Sequence, residues 1–212
     1  MKKKNNAEEK EKNTEQAILE AAELQFLENG YEAAKTTKIA SHAGVTHAML
    51  HYYYRTKENL FDVILEQKTK ILKESLFTSF DNPDIPFLEK VRSGIEMHFD
   101  FLKANPLLPR FIINEVINKP GRLHLFERKI KKIAVQFLDK VSAEIKREVE
   151  KGTIHPIDPL VLLVDIASMN VFIFAVMPLV RNFAVAPYSS EEAFLEARKR
   201  ENVEIILRRL KK

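Results

Sequence analysis

The turn Ala43-Gly44-Val45-Thr46 constrains the fold of this chain more than any other short stretch. Before it, residues from about Thr36 to Ala43 read as a short helix. Thr36 is a better N-cap than Lys35 there, because its hydroxyl can accept from a free backbone N–H. After it, Thr46 is a good N-cap for a second helix from His47 to about Tyr54. Gly44 provides the tight turn, Val45 can plug the angle between the helices, Ala40 lets them approach and Leu50 fills their contact. Two short helices joined by a three- to four-residue glycine turn make a helix-turn-helix.

The second helix carries His51, Tyr52, Tyr53 and Tyr54 in a row. Consecutive helical residues point about 100° apart, so four adjacent rings cannot share one core. On a wheel, Leu50 and Tyr54 face inward together. His47 with His51, Ala48 with Tyr52, and Met49 with Tyr53 fall on other faces, which turns rings with hydrogen-bonding tips outward. Charge is distributed to match. Residues 33–57 carry Lys35, Lys38, Arg55 and Lys57 without an acid, a local charge of +4, whereas residues 8–32 carry eight glutamates against Lys10 and Lys12. Such a stretch is either a plain solvated face or a polyanion site.

The rest of the chain reads as helix. In TEQAILEAAELQFLENG, Ile18, Ala22 and Phe26 form an apolar stripe, Thr14 can cap the start and Asn29-Gly30 can end it. The preceding residues 1–12 are charged, with no apolar segment behind the basic start, so the expectation is a disordered tail and not a signal peptide. Thr56 caps a helix running to about Phe80, roughly 36 Å at about 1.5 Å per residue, whose first turn holds Lys57 and can attract phosphate. Further helices are predicted at about 84–104, 107–118, 122–151, 158–181 and 189–211. Their breaks are Asn105-Pro106, Lys119-Pro120-Gly121, Gly152 through Pro159, and Ala186-Pro187. Five glycines in 212 residues fit an all-α fold, and the lack of cysteine excludes disulfides and thiolate metal sites and suits the cytoplasm.

Residues 14–61 resemble the DNA-binding domain of the tetracycline-repressor (TetR) family of bacterial regulators. The resemblance rests on Ala21-Ala22, Phe26, Gly30-Tyr31, Ile39-Ala40, Ala43-Gly44-Val45, the His51–Tyr54 run and Lys57-Glu58-Asn59-Leu60. It implies a tail (1–12), a helix-turn-helix domain (13–60) and a helical ligand-binding and dimerisation domain (61–212). It further implies a homodimer that binds a palindromic operator in double-stranded DNA, most simply as a repressor, and lets go when a small-molecule effector binds. Carried over by position, Thr36, Thr37 and Lys38 open the second helix against the DNA backbone, and Thr46 begins the recognition helix at the same surface. His47, Ala48, Met49, His51, Tyr52 and Tyr53 face the major groove, and Lys57 matches the phosphate-binding lysine. Imidazole and phenol can bond phosphates or base edges, and Ala48 and Met49 can touch a thymine methyl. The chain departs from the family at Ala48, Met49 and His51, where Gly or Pro, a hydroxyl residue and Tyr are usual, and at Tyr53-Tyr54, where His-Phe is frequent. These departures leave the operator sequence unread.

His47 and His51 also have the spacing of helical metal ligands, but no carboxylate or cysteine completes a set, so no metal and no cofactor is expected. The stretch LVLLVDIASMNVFIFAVMPLV is interrupted by Asp165, and its uncharged part, 166–180, is short for a membrane span. The expectation is instead that helices 158–181 and 189–211 form a four-helix bundle with a two-fold mate. Candidate effector-site residues are His98, Phe101, Phe111 and Asn114, with Glu115, Phe126, Asn170 and Phe174, since they mix aromatic and isolated polar groups. Each of them also reads as ordinary core or surface. Glu115, if buried, would favour a cationic ligand. Two rivals remain: a DNA-binding protein controlled by a protein partner or by nothing, and a helical enzyme, for which no phosphate loop, nucleophile elbow or close carboxylate pair is found.

Overall fold

Each helix stops where its sequence withdraws support for the next turn. In the computed structural model, which describes residues 2–181 and 188–212, α1 (Lys2–Ala33) is kinked at Gly30, whose φ of 76° and ψ of 167° are open to glycine and strained for other residues. Ile18, Ala22 and Phe26 are buried along it, as the stripe predicts. The helix begins at Lys2, well before Thr14, so the stretch expected as a disordered tail continues it. Residues 7–12 are all Ala, Glu or Lys, which are strong helix formers.

Next come α2 (Thr36–His42) and α3 (His47–Tyr54). The N-cap of α2 is Lys35, not Thr36; Thr36 occupies the first helical position, where its hydroxyl reaches across to His47. Thr46 does cap α3, its Oγ1 accepting from Met49 N at 3.2 Å. In the same way Thr56 caps α4 (Lys57–Asp81), accepting from Asn59 N at 3.1 Å. Leu50 and Tyr54 are buried, at 1% and 3% exposure, which fixes the rotation of α3 and with it the residues it presents. The core of this head includes Phe26, Tyr31, Leu60 and Phe61, and it continues past residue 60 through Ile64 and Leu65 to Leu108, Phe111 and Val116.

The body is built from α5 (Phe87–Ala104), α6 (Leu108–Phe111), α7 (Pro120–Glu150), α8 (Pro159–Val180) and α9 (Glu191–Leu210). The helix predicted at 107–118 is instead α6 followed by a π-helical segment, Ile112–Ile117, marked by the bond from Asn118 N to Ile113 O at 3.0 Å. Prolines at 109 and 120 bracket this short stretch, and neither supplies an N–H to a regular ladder. The break predicted at Ala186-Pro187 lies outside the described residues.

Helix α8 is long and apolar enough to cross a membrane by length and composition, despite Asp165. Two of its polar side chains, however, are engaged by the neighbouring helices. Asp165 pairs with Arg209 of α9, and the fully buried Asn170 bonds across to α5 and α9. One side of α8 packs into the body through Leu162, Phe174 and Met177, while Leu160, Val164, Phe172 and Leu179 are more than half exposed.

Candidate functional site

The helix-turn-helix presents the chemistry that the wheel anticipated. Thr37 and Lys38 on α2, and Thr46, His47, Ala48, Met49, His51 and Tyr52 on α3, are exposed. His47 Nε2 lies 2.9 Å from Thr36 Oγ1, tying the starts of the two helices together, and its ring meets that of His51 edge-on at 4.5 Å. His51 Nδ1 donates to the carbonyl of Arg55 at 2.9 Å. A carbonyl can only accept, so the neutral ring offers Nε2 as an acceptor. Tyr52 is 69% exposed, with its ring propped edge-on against Tyr53 at 5.4 Å.

Two predicted contacts are placed differently. Tyr53 is half-buried against the core of the head, so its ring supports Tyr52 more than it projects. Lys57 turns back on the protein: its Nζ donates to the carbonyls of Tyr31 (2.9 Å), Ala34 (3.2 Å) and Glu32 (3.4 Å) and sits 4.4 Å from the Tyr31 ring centre. All three ammonium protons are thereby directed at the carbonyls that end α1.

Tyr31 also connects the head to the body. Arg122, at the start of α7, stacks on its ring at 3.7 Å and on Phe61 at 5.1 Å. The same guanidinium bonds Glu115 Oε2 at 2.8 Å and reaches Glu32 at 3.4 Å. Glu115 is therefore paired and does not make a site for a cation. Residue-by-residue reading missed Arg122, because Tyr31, Glu32 and Phe61 lie far from it in sequence.

The candidate effector residues divide three ways. His98, Phe101 and Phe126 line one apolar cavity of about 230 Å³, together with Leu65, Lys68 and Thr69 of α4 and Ile112, Ile113 and Ile117 of the π-helical segment. Phe111, Asn114 and Glu115 border a separate, more polar cleft of about 410 Å³ beside Gly30. Asn170 and Phe174 are buried inside the body, Phe174 against Phe99 at 5.2 Å. Burial pushes the His98 imidazole down to about 4, so it is neutral at neutral pH. The α4 residues could have been suspected from the Leu65/Thr69 spacing; nothing local pointed to the isoleucines.

Residues 18–64 match the model for bacterial regulatory proteins of the tetR family, and residues 88–206 match that for the tetracyclin repressor-like C-terminal domain. The second match spans more than half of the chain. The protein belongs to the TetR family.

Among curated relatives, this TetR-family protein is similar to the uncharacterized HTH-type transcriptional regulator YhgD of Bacillus subtilis, with 28% identity over 142 residues, 67% of this chain and 72% of YhgD. It is also similar to the HTH-type transcriptional regulator RutR of Escherichia coli, with 30% identity over 145 residues, 68% of this chain and 65% of RutR. Among solved structures, the ketosteroid transcriptional regulator KstR2 of Mycobacterium tuberculosis has the same fold. Its TM-score is 0.71 at 17% identity, covering 93% of this chain and 95% of the other. The family is one of DNA-binding transcriptional regulators and not of enzymes, so the TetR-family chain is a DNA-binding transcriptional regulator with an N-terminal helix-turn-helix and a helical C-terminal domain.

Proposed function

We propose that this regulator is a cytoplasmic repressor. It would bind a palindromic operator as a homodimer and be released by a small molecule held in the apolar cavity. The observation that carries the reading is α3: Leu50 and Tyr54 lock the helix down, while His47, Ala48, Met49, His51 and Tyr52 are left exposed with no structural task that needs all of them. Two such helices in a dimer suit half-sites about one turn apart, roughly 34–36 Å. The exposed apolar side of α8 supports a dimer through α8 and α9.

The cavity supports effector control over the reading without a ligand. Ile112, Ile113 and Ile117 line it, while Glu115 of the same π-helical segment holds Arg122 against Tyr31 of the head. π-Helical turns often mark functional positions in helices. A ligand that prefers one setting of this segment shifts the head only by its difference in affinity for the two settings.

The test is selection of duplexes from a random pool by the purified protein, followed by titration of the recovered duplex against a scrambled one at two salt concentrations. A palindromic consensus, bound about 1,000-fold tighter than the scrambled duplex, is expected. Equal binding to both duplexes, vanishing with salt, would refute sequence-specific regulation.

A further inference from the structure

Two amides and one imidazole inside the body determine what the cavity can offer a ligand. Asn202 Nδ2 donates to the carbonyl of Met169 at 3.1 Å and to Asn170 Oδ1 at 2.9 Å. Asn170 Nδ2 in turn donates to the carbonyl of Ile95 at 3.0 Å and lies 3.2 Å from His98 Nδ1. Carbonyls only accept, so both amide orientations follow from their backbone partners, and the group that reaches His98 is an N–H donor. Nδ1 of the neutral ring must then carry the lone pair and Nε2 the proton. Nε2 has no hydrogen-bond partner among the described residues, and His98 lines the cavity, which leaves this proton for a ligand there.

The remaining polar wall is already paired. The Lys68 ammonium is held by Glu23 at 2.7 Å and by Asn105 Oδ1 at 2.7 Å, and the Thr69 hydroxyl donates to Leu65 O at 2.7 Å. An anion would have to draw Lys68 away from Glu23. A cation would meet no unpaired acid on the wall. Everything else facing the space is aromatic or aliphatic, where an unpaired charge is costly. At about 230 Å³ the cavity is below the roughly 300–1,000 Å³ of drug-sized sites and above the ~150 Å³ that holds a benzene ring.

We infer that this cavity takes a compact, uncharged, mainly apolar molecule of about one substituted ring, whose single hydrogen-bond acceptor meets His98 Nε2–H. The inference rests on the effector reading above and names the ligand class for it.

Acetophenone, benzoate and ethylbenzene are probes of nearly equal size that differ in charge and in the acceptor. Calorimetric titration of the full-length protein is expected to give acetophenone at least a tenfold advantage over both others. Ring ¹⁵N spectra of the unliganded protein should show the proton of His98 on Nε2. In His98→Phe the advantage over ethylbenzene should vanish, and in His98→Gln, which keeps an acceptor for Asn170 and a donor for the ligand, it should partly return. The ring spectrum is read on the unaltered protein, so it holds even if His98→Phe fails to fold. A proton on Nδ1, benzoate or ethylbenzene binding as tightly as acetophenone, or no binding by any of the three at millimolar concentration would each overturn the inference. Titrating the same probes against the protein on its selected duplex separates the two readings. Release by benzoate and not by acetophenone would overturn the ligand class and uphold effector control. Acetophenone binding without any change in DNA affinity would do the reverse.

Discussion

His98 links the polar track inside the body to a measurable pH dependence. Its imidazole is held down to about 4 by burial, while an unfolded-chain histidine titrates near 6.5. Between those values the unfolded chain binds a proton that the folded chain refuses, so this group leaves stability intact above about pH 6.5 and erodes it as the pH falls toward 4. Urea melts between pH 7 and 4 should show the unaltered protein losing about 3 kcal/mol more than His98→Gln; parallel losses would contradict the assignment. Lys57 and Tyr52 behave as opposites. Lys57→Ala should lower stability by about 1–3 kcal/mol in the absence of DNA, since three carbonyls at the end of α1 lose their donor. Tyr52→Ala should leave the melt within about 0.5 kcal/mol and instead change the bases recovered by selection. The exposure of Tyr52 was legible from the wheel. The task of Lys57 was not, because its partners Tyr31 to Ala34 are brought to it by tertiary packing.

At the scale of elements, two of the three positive-φ glycines among the described residues, Gly30 and Gly44, stand in different surroundings. A Cβ on Gly30, at φ 76°, would come within 2.7 Å of Glu115 Oε1 and disturb the carboxylate that holds Arg122. A Cβ on Gly44, at φ 68°, would meet nothing within 4 Å. Both alanine variants carry a backbone cost of about 1–3 kcal/mol, the larger at Gly30, whose ψ of 167° lies in a region open essentially only to glycine. Gly30→Ala should therefore be the more destabilised in thermal melts, and a larger drop for Gly44→Ala would argue against the Glu115 contact. Helices α3 and α4 were legible because caps and stripe agree: Thr46 and Thr56 each sit just before an apolar pattern and each caps as predicted. The segment at 107–118 was not, since the sequence has no separate signal for a π-helical turn, and the bond from Asn118 to Ile113 depends on how the segment lies between head and body.

At the scale of the whole molecule, the exposed side of α8 is the feature that the chain by itself leaves uncovered. Phe172→Glu places a charge at a residue 66% exposed on that side, so it should fold normally. Light scattering at micromolar concentration should then give a dimer for the unaltered protein and a monomer for the variant. Specific DNA affinity should fall about 100-fold or more in that variant, because half of the operator contacts are lost together. A monomeric unaltered protein would sink the proposed dimer. The sequence by itself determined the all-α class, the helix-turn-helix and the rotation of α3, because these follow from local periodicity, capping and one glycine turn, and the motifs within residues 14–61 carried the resemblance to the family. Tertiary structure decided that Lys57 and Glu115 are spent on Tyr31, Glu32, Ala34 and Arg122, and that His98, Phe101 and Phe126 share a cavity from which Phe111, Asn170 and Phe174 are excluded. Those outcomes depend on which distant side chain reaches a charge or a void first, and helical periodicity carries no record of that.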